Sequence, residues 1–169
     1  MSETTQQVKQ LQRPDSLEPF IRLARFGDMQ AMLEMAKEFY DYAELDLFGL
    51  SFDRNSFADV LAHYINSPNC VVLVAEVDGQ VVGSIAGVLT PWFMNLAQVN
   101  AGETWWFVRP EFRGQAGRML LDAFEAWAAG AGARVVCVAG FAAKRFAVLE
   151  RLYKRRGYKL LEAHFVKEL

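Results

Sequence analysis

A short segment rich in arginine and glycine, residues 109–118, lies between an apolar run and an amphipathic pattern. The apolar run, residues 105–108, is typical of a strand, and Met119, Leu120 and Ala123 follow it at helical spacing. A helix N-terminus offers unpaired backbone N–H groups and the positive end of a dipole, and glycine lets an anion approach the backbone closely. The segment is therefore predicted to bind phosphate. The alternative is an ordinary strand-to-helix connection whose arginines are solvated.

This segment resembles motif A of the GNAT superfamily, the acyl-CoA-dependent N-acyltransferases. In that family the sequence Arg/Gln-x-x-Gly-x-Gly/Ala lies between the fourth strand and the third helix, and its backbone amides hold the pyrophosphate of acetyl-CoA. Residues 108–114 (Val-Arg-Pro-Glu-Phe-Arg-Gly) and 117–121 (Gly-Arg-Met-Leu-Leu) carry the resemblance. Counted from Arg113, the two glycine positions of the motif fall on Ala116 and Arg118.

The resemblance implies that acetyl-CoA binds this part of the chain as a co-substrate. The pantetheine arm is expected to lie like an added strand beside the backbone of Phe107 and Val108. The residues expected to hold the pyrophosphate are Arg113, Gly114, Gln115, Ala116, Gly117 and Arg118. The implied function is an acetyl-CoA-dependent N-acetyltransferase that transfers the acetyl group directly to an amine. The alternative is a GNAT-fold cofactor-binding or interaction protein without turnover.

A second resemblance lies near the C-terminus. Residues 152–158 (Leu-Tyr-Lys-Arg-Arg-Gly-Tyr) are similar to the family element Leu-Tyr-x-x-x-Gly-Phe/Tyr, in which the tyrosine protonates the coenzyme thiolate. The resemblance makes Tyr153 the candidate catalytic acid, and a phenol suits this role because its pKa is near that of a thiol. The alternative is a helix tyrosine that only packs its ring.

Glu103 is the candidate catalytic base, acting directly or through water. It precedes the apolar run 105–108, where the family often places a carboxylate on the fourth strand. The alternative is a glutamate at a strand edge that faces solvent. Glu162 is a second candidate base, because the last strands of the family line the acceptor side.

The charge of the chain is unevenly distributed. Residues 1–100 contain 13 acidic and 6 basic side chains, whereas residues 101–169 contain 7 acidic and 12 basic side chains. In GNAT proteins the first two helices form one wall of the acceptor site, and the carboxylates of that region are Glu34, Glu38, Asp41, Glu44, Asp46, Asp53 and Asp59. These charges favour a cationic acceptor, either a small-molecule amine or a protein lysine or N-terminus. The alternative is that they only solvate the outer faces of two helices.

Composition restricts the class of protein. The chain has 169 residues, 53% of them hydrophobic, and a net charge of −2, which is typical of one globular domain. We expect a flexible N-terminal arm at residues 1–17, a single domain at residues 18–169, no signal peptide or membrane span, and a cytoplasmic location.

Cys70 and Cys137 lie in apolar runs, so we expect both to be reduced residues of the core. His63 and His164 lack metal-ligand spacing, so no metal is expected. A nucleic-acid partner is disfavoured because the overall charge is acidic and no recognition motif is present.

Apolar periodicity predicts four helices. The first begins after Asp28 as N-cap and ends near residues 42–44, and the second runs from residue 51 or 53 to 65. The third follows the arginine-rich segment and ends at Gly130 and Gly132, and the fourth ends at Gly157.

Strands are predicted between the helices. The predicted strands are residues 20–25, 70–77, 81–89, 99–108, 135–139 and 158–169. Asp78-Gly79 predicts a hairpin turn, Gly102 a bulge, and 135–139 a strand buried on both faces. Residues 91–97 are predicted to be a loop whose Trp92, Phe93 and Met94 form either a homodimer contact or an acceptor wall. The expected fold is α+β, a GNAT-like mixed, mostly antiparallel sheet with helices on both faces.

Overall fold

The structure is a computed structural model that describes residues 18–140 and 146–168. The predicted flexible arm, residues 1–17, lies outside the described residues. In chain order the helices and strands are β1 (Phe20–Leu23), α1 (Met29–Ala43), α2 (Arg54–Asn66), β2 (Cys70–Val77), β3 (Gln80–Trp92), β4 (Asn95–Val108), α3 (Gln115–Gly130), β5 (Val135–Cys137) and α4 (Phe146–Arg155). Short 3₁₀ segments lie at Phe26–Asp28, Leu45–Phe48 and Pro110–Phe112.

The five strands form one sheet in the order β1-β2-β3-β4-β5. Neighbouring strands are antiparallel except β4 and β5, which are parallel. Helices α1 and α2 cover one face through a core that includes Met35, Leu61 and Val74, and α3 covers the other through Leu120 and Phe124. The predicted mixed, mostly antiparallel sheet with helices on both faces is confirmed.

Local signals account for two of the boundaries. The carboxylate of Asp53 accepts from the backbone N–H of Ser56 at 2.6 Å, which caps the start of α2. Asp78 and Gly79 have φ values of 52° and 74°, the left-handed pair that a two-residue hairpin turn requires. Asp28 occupies the N-cap position of α1, but its side chain does not cap that helix. Its carboxylate instead accepts from the backbone N–H of Arg25 at 2.7 Å and pairs with Arg22 at 2.7 Å.

The β3–β4 hairpin is longer than the sequence pattern predicts. Strand pairing continues to Trp92 and resumes at Asn95, so the predicted loop at 91–97 is mostly a two-stranded ribbon. Pro91 can lie in this ribbon because proline has no N–H to donate to a neighbouring strand. It lies beyond the part of β3 that pairs with β2 and beyond the part of β4 that pairs with β5, and one ladder hydrogen bond can be lost there. Phe93 and Met94 form the tip and are 71% and 74% exposed.

The bulge in β4 lies at Thr104 rather than at the predicted Gly102. Ala86 is in register with Trp105 and Gly87 with Glu103, so Thr104 is the extra residue. Gly102 pairs regularly with Val88 and with Cys137. After the bulge Trp105 and Phe107 pack toward α1 and α2, whereas Trp106 and Val108 pack toward α3.

The predicted final strand at 158–169 is wrong for the described part of that segment. Residues 158–168 form no strand, and Leu160 and Phe165 are 80% and 95% exposed. The prediction that 135–139 is buried on both faces is also wrong, because Val135 is 48% exposed and β5 pairs only with β4 within the described residues. Alternation shows which residues can share a face, but it does not supply a neighbouring strand.

Candidate active site

The sheet opens between β4 and β5. Strand β5 pairs with Asn100, Ala101 and Gly102 and ends at Cys137, whereas β4 continues to Val108. Beyond Gly102 the outer edge of β4 therefore has no strand partner in the described chain. The bulge at Thr104 lies at the start of this opening, so the two strands separate where the bulge bends β4.

The two predicted catalytic residues meet at this opening. The Glu103 carboxylate accepts a hydrogen bond from the backbone N–H of Ala139 at 2.9 Å. The Tyr153 hydroxyl donates to the backbone carbonyl of the same residue at 2.8 Å. Ala139 follows β5. Glu103, the candidate base on β4, contacts its N–H, and Tyr153, the candidate acid on α4, contacts its carbonyl. The structure thus brings together two side chains that are distant in the sequence.

Burial changes the proton affinity of both groups. Loss of solvent raises the pKa of Glu103 to about 7, and the hydrogen bond from Ala139 opposes this shift. Burial also raises the pKa of Tyr153 well above its usual value, with smaller contributions from the charges of Glu103 and Tyr158. At neutral pH the Tyr153 hydroxyl therefore keeps its proton, whereas Glu103 can gain or lose one.

Helix α4 is held against α3 by contacts at its C-terminal end. Gly157, with φ of 85°, turns the chain back, and the Tyr158 hydroxyl donates to Glu125 at 2.8 Å. Arg156 donates to Glu125 at 3.1 Å and also pairs with Asp122. The Tyr158 ring lies 5.5 Å from the Tyr153 ring, measured between centroids. These contacts position Tyr153 in the opening.

The start of α3 presents unpaired backbone donors. Within the described residues, the N–H groups of Gly114, Gln115, Ala116 and Gly117 have no acceptor, and the first bond of the helix runs from Arg118 N–H to the Gly114 carbonyl at 3.1 Å. Gly114 has φ of 99° and ψ of −90°, a conformation that side chains rarely adopt, and a Cβ there would meet open space. Gly114 and Gln115 are exposed, whereas Ala116 and Gly117 are buried, so this helix start can receive an anion through its first two N–H groups.

The arginines of the loop have different surroundings. Arg113 Nε donates to the Val108 carbonyl at 3.0 Å, and its guanidinium lies 4.6 Å from the Tyr42 ring centroid. Arg113 therefore fastens the loop to β4 and α1, whereas Arg118 is exposed beside the free N–H groups. The centroid of the Phe107 ring lies 5.7 Å from that of Phe39, so its side chain packs on the face of α1 and α2 and does not enter the opening.

Trp106 was not predicted as a site residue. Its Nε1–H is buried and has no hydrogen-bond partner among the described residues. Its ring centroid lies 6.3 Å from that of Tyr153, and its Cζ2 lies 3.5 Å from the place of a Cβ on Gly117. The alternation of the strand after Trp105 is the signal that could have placed it on the face of α3.

An apolar cleft of about 510 Å³ lies between α1, the 3₁₀ segment Leu45–Phe48 and the start of α2. Its lining includes a row of rings, with Tyr40 and Phe52 centroids 5.9 Å apart and Phe52 and Phe57 centroids 6.3 Å apart. Asp53 is the single acidic residue among the described residues that line the cleft, and its carboxylate already caps α2. The predicted acceptor wall is therefore more aromatic than the sequence suggests.

Several carboxylates of the predicted acidic wall are already paired. Glu38 accepts from Arg109 at 2.8 Å, and Asp41 accepts from Lys37 at 2.6 Å. Asp46 and Asp59 belong to the same region, and the 3₁₀ segment that carries Asp46 borders the cleft.

The described residues contain no group of three or more His, Cys, Asp or Glu side chains placed to hold a metal ion. None of the described helices combines the length and apolarity needed to cross a bilayer.

Comparison with known families gives an independent assignment. The profile of the Acetyltransferase (GNAT) family matches residues 29–158, which contain the opening, the start of α3 and Tyr153. The chain belongs to the GNAT acetyltransferase family. No curated protein sequence matches this GNAT domain.

Solved structures share the fold of this GNAT domain. An acetyltransferase from Trypanosoma brucei is 16% identical with a TM-score of 0.68, and the match covers 90% of this chain and 100% of that one. An aminoglycoside acetyltransferase from an uncultured soil metagenomic sample, in complex with sisomicin, is 17% identical with a TM-score of 0.67, over 89% and 96% of the chains. A predicted acetyltransferase from Clostridium acetobutylicum, solved with acetyl-CoA, is 16% identical with a TM-score of 0.66, over 89% and 96%.

Proposed function

We propose that this GNAT domain is an acetyl-CoA-dependent N-acetyltransferase that acts on an amine by direct transfer. The observation that carries the proposal is the meeting of Glu103 and Tyr153 at Ala139. This pair lies at the opening beside β4, which leads directly to the anion-binding start of α3. An acid, a base and a phosphate-binding helix start are the groups that acetyl transfer from acetyl-CoA requires.

The residues of the opening fit acetyl-CoA. The exposed N–H groups of Gly114 and Gln115 would hold the pyrophosphate, with the exposed Arg118 beside them. The unpaired edge of β4 would take the pantetheine arm at the backbone N–H of Val108, since the Val108 carbonyl already accepts from Arg113. Phe107, the other predicted contact, turns its backbone groups toward β3, because the Arg109 N–H bonds to the Val82 carbonyl and backbone groups alternate between the two edges of a strand. Acetyl-CoA supplies the acetyl group as an activated thioester.

The side chains supply the proton transfers. Glu103 would take a proton from the acceptor amine, because its raised pKa of about 7 suits a base at neutral pH. Tyr153 would give its hydroxyl proton to the departing sulfur, which requires the hydroxyl to turn away from the Ala139 carbonyl. The new amide bond forms as the carbon–sulfur bond breaks, and proton exchange with solvent then returns Glu103 to the carboxylate and Tyr153 to the phenol.

Acetyl-CoA is expected to stabilise the folded protein. At about 100 times its Kd the ligand should add roughly 2.7 kcal/mol to the free energy of unfolding. Replacing Gly117 by glutamate should abolish this gain, because it places bulk and negative charge in the first turn of α3, where a Cβ would lie 3.5 Å from Trp106 Cζ2. Thermal unfolding with and without millimolar acetyl-CoA measures both effects.

The matched control places the same charge at the other end of the same helix. Gly130→Glu, where a Cβ meets open space, should keep the ligand-induced shift. A flat thermal shift for the unmodified protein would contradict acetyl-CoA binding. A shift without thioester consumption over a panel of amines would support the alternative function, a binding protein without turnover.

We propose that the acceptor is a cationic amine with an apolar part. The rings of Tyr40, Phe52 and Phe57 offer π faces at the cleft, and Lys37 Nζ already lies 5.5 Å from the centroid of the Tyr40 ring. Asp46 and Asp59 add negative charge to the same region. The aminoglycoside acetyltransferase among the structures of the same fold acts on a cationic amine, which is consistent with this proposal.

Cationic amines are expected to exceed neutral amines of equal size in kcat/KM by about tenfold at low salt, and this advantage should fall as salt rises. Asp46→Asn should reduce the advantage. Asp78→Asn, which removes the same charge at the β2–β3 turn, should leave it unchanged. An advantage that is absent at low salt would show that the acidic wall does not select the substrate.

A further inference from the structure

Trp106 lies between the two ends of the proposed acetyl-CoA site. On one side the edge of its indole ring that bears Cζ2 faces Gly117, in the first turn of α3. On the other side its ring faces Tyr153, at a centroid distance of 6.3 Å. Gly117 belongs to the proposed phosphate site and Tyr153 to the proposed sulfur site, so Trp106 occupies the middle of the path.

The indole nitrogen of Trp106 lacks a partner in this environment. Cζ2 is bonded to the ring carbon that carries Nε1, so the N–H lies at the same edge of the ring as the contact with Gly117. This N–H is buried and has no acceptor among the described residues. The Tyr153 hydroxyl is directed to the Ala139 carbonyl, and the Val108 carbonyl accepts from Arg113. Buried donors in folded proteins are almost always paired, so this N–H, which is unpaired within residues 18–140 and 146–168, is available to an acceptor on a ligand.

We propose that Trp106 Nε1–H donates a hydrogen bond to an amide carbonyl of the pantetheine arm. This inference rests on the proposed function and adds a residue that positions the arm. In coenzyme A the two amides of the arm lie between the pyrophosphate and the sulfur, as Trp106 lies between Gly117 and Tyr153. The acceptor is therefore an amide of the arm rather than the carbonyl of the thioester.

The matched pair of variants is Trp106→Phe and Trp127→Phe. Trp127 lies at the far end of α3, stacks on Phe124 at 5.5 Å and belongs to the same core, so its substitution removes a similar volume away from the site. Isothermal titration with coenzyme A and with acetyl-CoA gives the Kd values. Trp106→Phe should weaken both ligands about tenfold, whereas Trp127→Phe should leave both unchanged.

A second replacement removes only the N–H. Benzothienylalanine at position 106 keeps the bicyclic ring and replaces the N–H by sulfur. It should weaken coenzyme A as Trp106→Phe does, and it should not lower the melting temperature of the free protein, because the lost N–H has no partner there. This measurement keeps the inference testable if Trp106→Phe does not fold.

The outcomes separate this inference from the function on which it rests. An unmodified protein that binds neither ligand overturns the proposed function. A protein that binds both ligands, together with position-106 variants that bind equally well, overturns the role of Trp106 alone. Weakened binding of acetyl-CoA with unchanged binding of coenzyme A would place the acceptor on the thioester and overturn the assignment to the arm.

Discussion

Replacing Tyr153 by phenylalanine is expected to lower kcat about a hundredfold or more, with little change in the Kd for acetyl-CoA. The hydroxyl would protonate the departing sulfur, and it carries its proton at neutral pH. Burial raises its pKa well above that of a thiol, so the pKa match that the sequence predicts is not present in the free protein. The ring stays in place because its contacts with Trp106 and Tyr158 do not use the hydroxyl. Steady-state kinetics and titration of the ligand measure the two quantities separately.

The control for this prediction is Tyr158→Phe. It removes a neighbouring hydroxyl that donates to Glu125, and that contact holds α4 against α3. We expect lower stability from this change and a kcat within a few-fold of the unmodified protein, because Arg156 still holds α4 to α3 through Glu125 and Asp122. An unchanged kcat in the Tyr153 variant would exclude the tyrosine as the acid, and an equal loss in both variants would indicate a structural effect.

Replacing Glu103 by glutamine is expected to lower kcat at pH 8 by about a hundredfold, the usual contribution of a general base. With the pKa of Glu103 raised to about 7, activity in the unmodified protein should rise with pH through that value as the carboxylate forms. The variant should lose this limb of the pH profile, because glutamine does not titrate. Measurement of kcat/KM between pH 5.5 and 9 tests both effects.

Glu103→Gln is expected to raise the stability of the folded protein although it lowers its activity. Because burial raises the folded-state pKa of Glu103, the native protein binds more protons than the unfolded chain between the two pKa values. The free energy of unfolding therefore falls as pH rises from about 4.5 to above 7. Above that window Glu103→Gln should be about 3 kcal/mol more stable than the unmodified protein, because its neutral amide oxygen can still accept from Ala139.

Glu162→Gln is the matched control, because Glu162 is the second candidate base and lies in the exposed C-terminal segment. It should keep the pH limb near 7 and should not raise stability. If Glu162→Gln loses the limb and Glu103→Gln keeps it, the two assignments are reversed. Denaturant unfolding at pH 5 and pH 8.5 completes the comparison.

Most of the helices and strands could be predicted from the sequence. The helices α1, α2, α3 and α4 and the β2–β3 hairpin follow from apolar spacing and from turn residues such as Asp78 and Gly79. These signals are local, because each one is complete within a few consecutive residues. The helix start at Gly114 belongs to the same class, since the glycine and the free N–H groups are neighbours in the sequence.

The arrangement of the site required tertiary structure. Whether Glu103 faces solvent or Ala139 depends on how the segment after β5 packs beside β4. The bulge at Thr104 decides which faces Trp105 and Trp106 take, because a shift of one residue in register moves a side chain to the other face of a strand. The sequence predicts this bulge at Gly102, because a glycine is visible in the sequence. An extra residue in a ladder depends on how two strands pair, which the sequence does not show. The unpaired N–H of Trp106 is also invisible in the sequence, because it depends on which acceptors the fold brings near it.

The C-terminal segment shows the same limit. Its alternation of apolar and polar residues predicts a strand, yet residues 158–168 are largely exposed and pair with no neighbour in the described chain. The sequence by itself determined the order of elements from β1 to α4, the strand–loop–helix at residues 105–121 and the likeness of residues 152–158 to a catalytic motif. Only the tertiary structure decided that Glu103 and Tyr153 share Ala139, because a hydrogen bond between distant segments depends on how the sheet and helices pack.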